Sequence, residues 1–163
     1  MSFLHSLVNI LTMFKVCQDI DMSQVDVETS IGYSLKRVTS ALRAAMDAQL
    51  RAHNLTVSQY ASLELLAQRP GLSNADLARG VFVSRQATHQ LLTGLKEANL
   101  VEVTGTGRDQ RLTLTGVGVR RLTDASEAVA SIEERMLSAL STQRRNALRK
   151  DLDAMTRALA ELD

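Results

Sequence analysis

Apolar positions recur at helical spacing along most of the chain, and capping residues mark the breaks between the runs. Ile31, Leu35, Val38, Leu42, Met46 and Leu50 step by fours and threes, which predicts one long helix over 29–52. Thr56-Val-Ser-Gln59 has the form of a capping box, and the helix it opens must end near Arg69, because Pro70 disfavours α geometry at the residue before it. Ser73, with Asp76 three positions on, starts a short helix with Leu77 and Ala78 inward and Gly80 as a left-handed terminator. Ser84 caps a further helix from Arg85 to about Ala98, with Ala87, Leu91, Leu95 and Ala98 on its inner face. Two long stripes close the chain. Leu122, Ala125, Val129, Ile132, Met136 and Leu140 mark a helix over 117–140, and Leu148, Leu152, Met155, Leu159 and Leu162 mark one over 142–162.

The stretch TGTGRDQRLTLT (104–115) breaks this helical rhythm. Its glycines suggest a phosphate-cradling loop, but such a loop needs a helix directly after it. Here Leu112 and Leu114 alternate with Arg111, Thr113 and Thr115, the period of a half-buried strand. With Leu100–Val103 before it, the stretch reads as a hairpin in which Val101 and Val103 share an inner face with Leu112 and Leu114. Thr115 then caps the next helix.

At the start, Leu4, Leu7, Val8, Leu11 and Phe14 form a stripe that predicts an extra amphipathic helix over 1–21. No basic residue opens it, and His5, Ser6, Asn9, Thr12 and Lys15 interrupt it, so it is not patterned as an export signal. Nor does any stretch approach the ~20 apolar residues that a membrane span requires. The expected fold is therefore mainly α with a small β-hairpin. Three long stripes are more than a small middle lobe can cover, so a second subunit is expected to cover them.

Composition adds little to this picture and charge somewhat more. The single cysteine, Cys17, excludes an intramolecular disulfide framework and fits a reducing cytoplasm. Net charge is only +1 over 163 residues. It is unevenly spread, at −3 over 1–28, +4 over 29–115 and zero over 116–163. A mildly basic middle is compatible with a polyanionic partner.

The helix after Ser84 narrows that partner. Its outer face carries Arg85, Gln86, His89 and Thr93, with Gln90 beside it and Thr88 on the flank. The first acid is Glu97, near the far end, whereas an ordinary solvated face mixes in carboxylates earlier. Arg and Gln present paired donors, or a donor and an acceptor, to base edges in a major groove that admits one helix. A hairpin following such a helix can lie over the backbone and send an arginine into the neighbouring minor groove.

The sequence here resembles the MarR family of dimeric winged-helix transcription regulators over roughly residues 30–160. The resemblance is carried by LRAAMDAQLRAHNLTVSQYASLELLAQRPGLSNADLA (42–78), by VSRQATHQLLTGLKEANLV (83–101), and by Leu114, Thr115 and Gly118. It implies a winged helix-turn-helix lobe over 55–115, dimerisation helices over 29–54 and 116–162, and a homodimer on double-stranded DNA with a pseudo-palindromic operator. It also implies a cytoplasmic regulator, a repressor released by a small aromatic or phenolic effector, with no cofactor and no metal. The DNA-binding residues it points to are Ser84, Arg85, Gln86, Thr88, His89, Thr93, Arg108 and Arg111. Asp109-Gln-Arg111 has the family's Asp-x-Arg form but lies closer to Leu114-Thr115 than the family spacing, which Arg108 keeps without an Asp. Two wing arginines thus compete, with Asp109 placed to orient Arg111. Asn54 stands where the family often has glycine, a substitution that left-handed geometry tolerates.

Two further readings stand beside this one. Some family members sense peroxide through a cysteine near the first helix, a role for which Cys17 is the one candidate. It falls on or near an apolar stripe, however, and only Tyr33 and Tyr60 are available as partners, so a structural cysteine is expected. A winged-helix dimer can also serve as a protein-interaction module. An enzyme is not expected, since the helical pattern gathers no paired carboxylates, Ser-His-Asp or Cys-His set. His5 and His53 have no companions at zinc spacing.

Overall fold

The computed structural model describes residues 26–106 and 109–161, with the Arg85 side chain excepted. The expected helix over 1–21, Cys17 and Arg108 lie outside the described residues. Two compact units divide the chain at Thr39/Ser40. In the first, Asp26 accepts from Glu28 N at 2.9 Å and from Thr29 Oγ1 at 3.1 Å, and the Ser30 hydroxyl accepts from Tyr33 N at 3.1 Å. These bonds start helix α1 (Ile31–Leu50), which continues into the second unit.

The second unit holds the core. A 3-10 turn (Arg51–His53) ends at Asn54, whose φ of 52° confirms that asparagine takes the left-handed position. Helix α2 (Val57–Gln68) opens on both halves of the capping box. Gln59 N donates to Thr56 Oγ1 at 3.2 Å and Thr56 N to Gln59 Oε1 at 2.9 Å. It stops two residues before Pro70. Helix α3 (Asn74–Gly80) is capped by Ser73, which accepts from Asp76 N at 3.1 Å. Ser73 also donates to the Asp76 carboxylate, and this bond, with Arg79 nearby, holds that carboxyl below its ordinary range. Helix α4 (Arg85–Glu97) follows, then strands β1 (Val101–Thr104) and β2 (Arg111–Leu114), helix α5 (Gly116–Met136) and helix α6 (Thr142–Ala160).

The strands pair antiparallel, with Val101 opposite Leu114 and Val103 opposite Leu112, which sets these four on one face as the alternation predicts. Leu72 adds a bridge to Leu112, so the hairpin is stitched to the turn before α3. Thr115 caps α5 by accepting from Gly118 N at 2.9 Å, and its hydroxyl donates to Asn99 O at 2.7 Å. At Gly118 the backbone of Leu100 passes so closely that no Cβ would fit.

Helix α2 is the hub, touching α3, α4, α5 and β2. Leu63, Leu66, Leu77, Leu95 and Leu112 are sealed around it, and Leu50, Leu100, Leu122 and Ala125 extend the core. Tyr60 donates to Glu64 Oε1 at 2.7 Å, and burial first, then that bond, push its phenol well above the usual tyrosine range.

Three expectations are corrected. Gly80 is not a left-handed terminator: it ends α3 in contact with Leu65 of α2, and the left-handed residue is Phe82, with φ 55°. Ala98 is exposed, while Leu92, left off the expected inner face, is buried. The helix expected over 117–140 ends at Met136, because Leu137–Leu140 form a tight turn before the Ser141 cap of α6. Across that turn Arg145 of α6 reaches both carboxylate oxygens of Glu134 in α5 at 2.8 Å. As expected, the three long stripes are only partly covered within the chain. Leu50, Leu122 and Ala125 are buried, but Ile31, Val38, Met136, Leu148, Leu152, Met155 and Leu159 are exposed.

Candidate nucleic-acid interface

The site is assembled by local rules. Ser84 takes an extended conformation and its hydroxyl accepts from Ala87 N at 3.2 Å, which fixes where α4 begins. Leu91, Leu92 and Leu95 bury the inner face of α4, and this turns Gln86, His89, Gln90 and Thr93 outward, all exposed. Gly94 faces the start of α2, where a Cβ would lie 3.3 Å from Gln59 Nε2. Three of the four outer-face residues expected from sequence are thus brought together on one exposed surface. The Arg85 backbone is the first residue of the same helix.

Thr88 sits elsewhere. It is only 8% exposed and its hydroxyl donates to Ser84 O at 2.8 Å, so it packs under the helix instead of joining the outer face. The reason is geometric. Leu92 lies one turn on, and its burial draws the adjoining flank inward with it.

A cleft of about 500 Å³ runs between α3 and α4, edged by Asn74, Arg79, Val83 and His89. The side chain of Asn74 donates to Gln110 Oε1 at 3.2 Å across 36 residues, tying the start of α3 to the wing. Arg121 Nη1 donates to His53 O at 2.8 Å and ties α5 to the entrance of the lobe. Neither link has a local sequence signal, because each joins residues that no helical or strand period relates.

In the wing, Gly105 has φ 78°, and its turn brings the backbone of Asp109 too close for any Cβ. Arg111 is exposed at the start of β2. Asp109 does not orient it: the Arg111 guanidinium lies 3.5 Å from Gln110 O, and no ion pair joins the two among the described residues. Among the described residues no three His, Cys, Asp or Glu gather to hold a metal ion, and no helix is long and apolar enough to cross a membrane.

A capped helix pair, a second helix with a polar carboxylate-free outer face, and a hairpin hydrogen-bonded back onto the lobe together define a winged helix-turn-helix protein. The MarR family's sequence profile matches residues 53–112. The HTH-type transcriptional repressor Rv2887 of Mycobacterium tuberculosis (strain ATCC 25618 / H37Rv) is 33% identical over 132 residues, covering 78% of this chain and 94% of that protein. The crystal structure of Rv2887 in complex with DNA aligns with TM-score 0.64 and 31% identity over 78% of this chain and 98% of its own. The transcriptional repressor CouR bound to a 23-mer DNA duplex aligns with TM-score 0.72 and 26% identity over 82% of this chain and 99% of its own. The chain belongs to the MarR family.

Proposed function

We propose that the protein is a dimeric, sequence-specific DNA-binding transcription regulator of the repressor type, acting in the cytoplasm by binding rather than by catalysis. The observation that carries this reading is the outer face of α4, where Gln86, His89, Gln90 and Thr93 stand exposed with no carboxylate before Glu97. Gln86, with Arg85 beside it in sequence, reads base edges. His89 and Thr93 line the groove, and the Ser84 hydroxyl, which accepts within its own cap, has a proton to give a phosphate. Arg111 and Arg108 serve the backbone or the adjacent minor groove. Thr88 supports the helix from beneath.

Two recognition helices are needed for a palindromic site, and the exposed apolar residues of α5 and α6 offer the surface through which two copies join. A small aromatic effector fits the kinship with Rv2887, which has also been crystallised with salicylic acid. A mobility shift with the DNA upstream of the protein's own gene tests the reading, with salicylate added to the formed complex. A shifted band that competitor DNA of random sequence fails to remove is the expected result. Equal competition by any sequence would remove the claim of specific regulation.

A further inference from the structure

Phe82 combines two features that the lobe does not explain. The residue is 95% exposed, and its backbone has φ 55°, a conformation that a bulky L residue disfavours and glycine adopts freely. Lone exposed apolar side chains are common and mean little. An exposed aromatic residue at a left-handed position is another matter, because both the backbone and the ring would be better served by a different residue. The turn requires the left-handed geometry: Phe82 N donates to Arg79 O at 3.3 Å and Val83 N to Ala78 O at 3.2 Å as the chain swings from α3 into α4.

The position of Phe82 says what the ring is for. It lies two residues before Ser84, the cap of α4, and its neighbour Val83 lines the cleft edged by Arg79 and His89. A recognition helix enters the major groove by its N-terminal end, so a side chain just ahead of the cap meets the groove wall. The apolar group that wall offers is the 5-methyl of thymine.

We propose that Phe82 is a DNA contact that places its ring against a thymine methyl beside the bases faced by Gln86, and so sets a preference for thymine at one position of each half-site. This rests on the DNA-binding reading above. The test starts from a site selected by the wild-type protein, so failure to select any site would overturn that reading and this one together. On the selected site, Phe82→Gly and Phe82→Asn are expected to lose about tenfold in affinity, while Phe82→Leu, which keeps an apolar side chain, recovers most of it. Phe82→Gly should melt at or above the wild-type temperature, which separates lost contact from lost folding. Replacing thymines one at a time by deoxyuridine removes only the methyl. One position per half-site should weaken wild-type binding and leave Phe82→Gly unchanged. Wild-type affinity in Phe82→Gly would overturn the contact. A loss in Phe82→Gly that is the same at every uracil-substituted position would overturn the assignment to thymine.

Discussion

Residues 50–125 and helix α6 draw on the same leucine-rich composition and meet opposite fates. In the first, apolar side chains from five helical elements and a hairpin close a core within one chain, with Leu63, Leu77, Leu95 and Leu112 fully sealed. In the second, nineteen helical residues bury nothing, and Leu148, Leu152, Met155 and Leu159 stand exposed along one stripe. The difference teaches that periodicity reports a face needing cover without saying which molecule covers it. In the lobe the cover is the chain itself. For α6 the proposed cover is a second copy of the chain.

The sharpest way to break this comparison is to place charge on the stripe. Leu148→Asp with Leu152→Asp should turn a dimer into a 17.9 kDa monomer by light scattering, since burying the carboxylates opposes association by at least about 3 kcal/mol, roughly a hundredfold. A double variant that stays dimeric would leave α6 without its assigned role. The same chemistry in the lobe should act on folding. Leu95→Ala opens a cavity in a fully buried site and should lower unfolding free energy by ~2–5 kcal/mol in a urea titration, with the oligomeric state unchanged at low urea. At the exposed face of α4 neither folding nor assembly should respond. Gln86→Ala should weaken binding to the specific site by ~1–3 kcal/mol and to random DNA hardly at all. Thr56→Ala removes a cap whose side-chain hydrogen bonds run to Gln59 of its own helix, and should lower stability by about 1 kcal/mol without altering DNA affinity. The smallest effect is expected at the wing, where Arg111→Ala should reduce the dependence of log affinity on log salt by about two per dimer.

What could be read from sequence divides along the same line. Caps at Thr56, Ser73, Ser84 and Thr115 were legible because each is settled by a side chain and a backbone N–H three residues away. The shared inner face of the hairpin was legible from a strict period of two, while the register that pairs Val101 with Leu114 was not. Gly80 misled because glycine signals both left-handed backbone and close packing, and here the packing against Leu65 applies. Phe82 was invisible for the converse reason, since no propensity places an aromatic residue at positive φ. On α4, an inner face drawn through Ala87, Leu91 and Ala98 missed Leu92 by one step and so left Thr88 unplaced between surface and core. The amide pair of Asn74 and Gln110, and the reach of Arg121 to His53, depend on tertiary placement that no local period encodes.

The central claim is that the outer face of α4, presented twice by a dimer, reads a two-fold DNA site. Selection from a random duplex library, followed by footprinting of the bound winner, tests it most directly. The account predicts an inverted repeat whose half-site centres lie about one helical turn apart, ~10–10.5 base pairs, or a multiple of it, protected by one dimer and less strongly enriched when Gln86→Ala replaces the wild type. Enrichment of no sequence, or of a site without two-fold symmetry bound by a single chain, would contradict it.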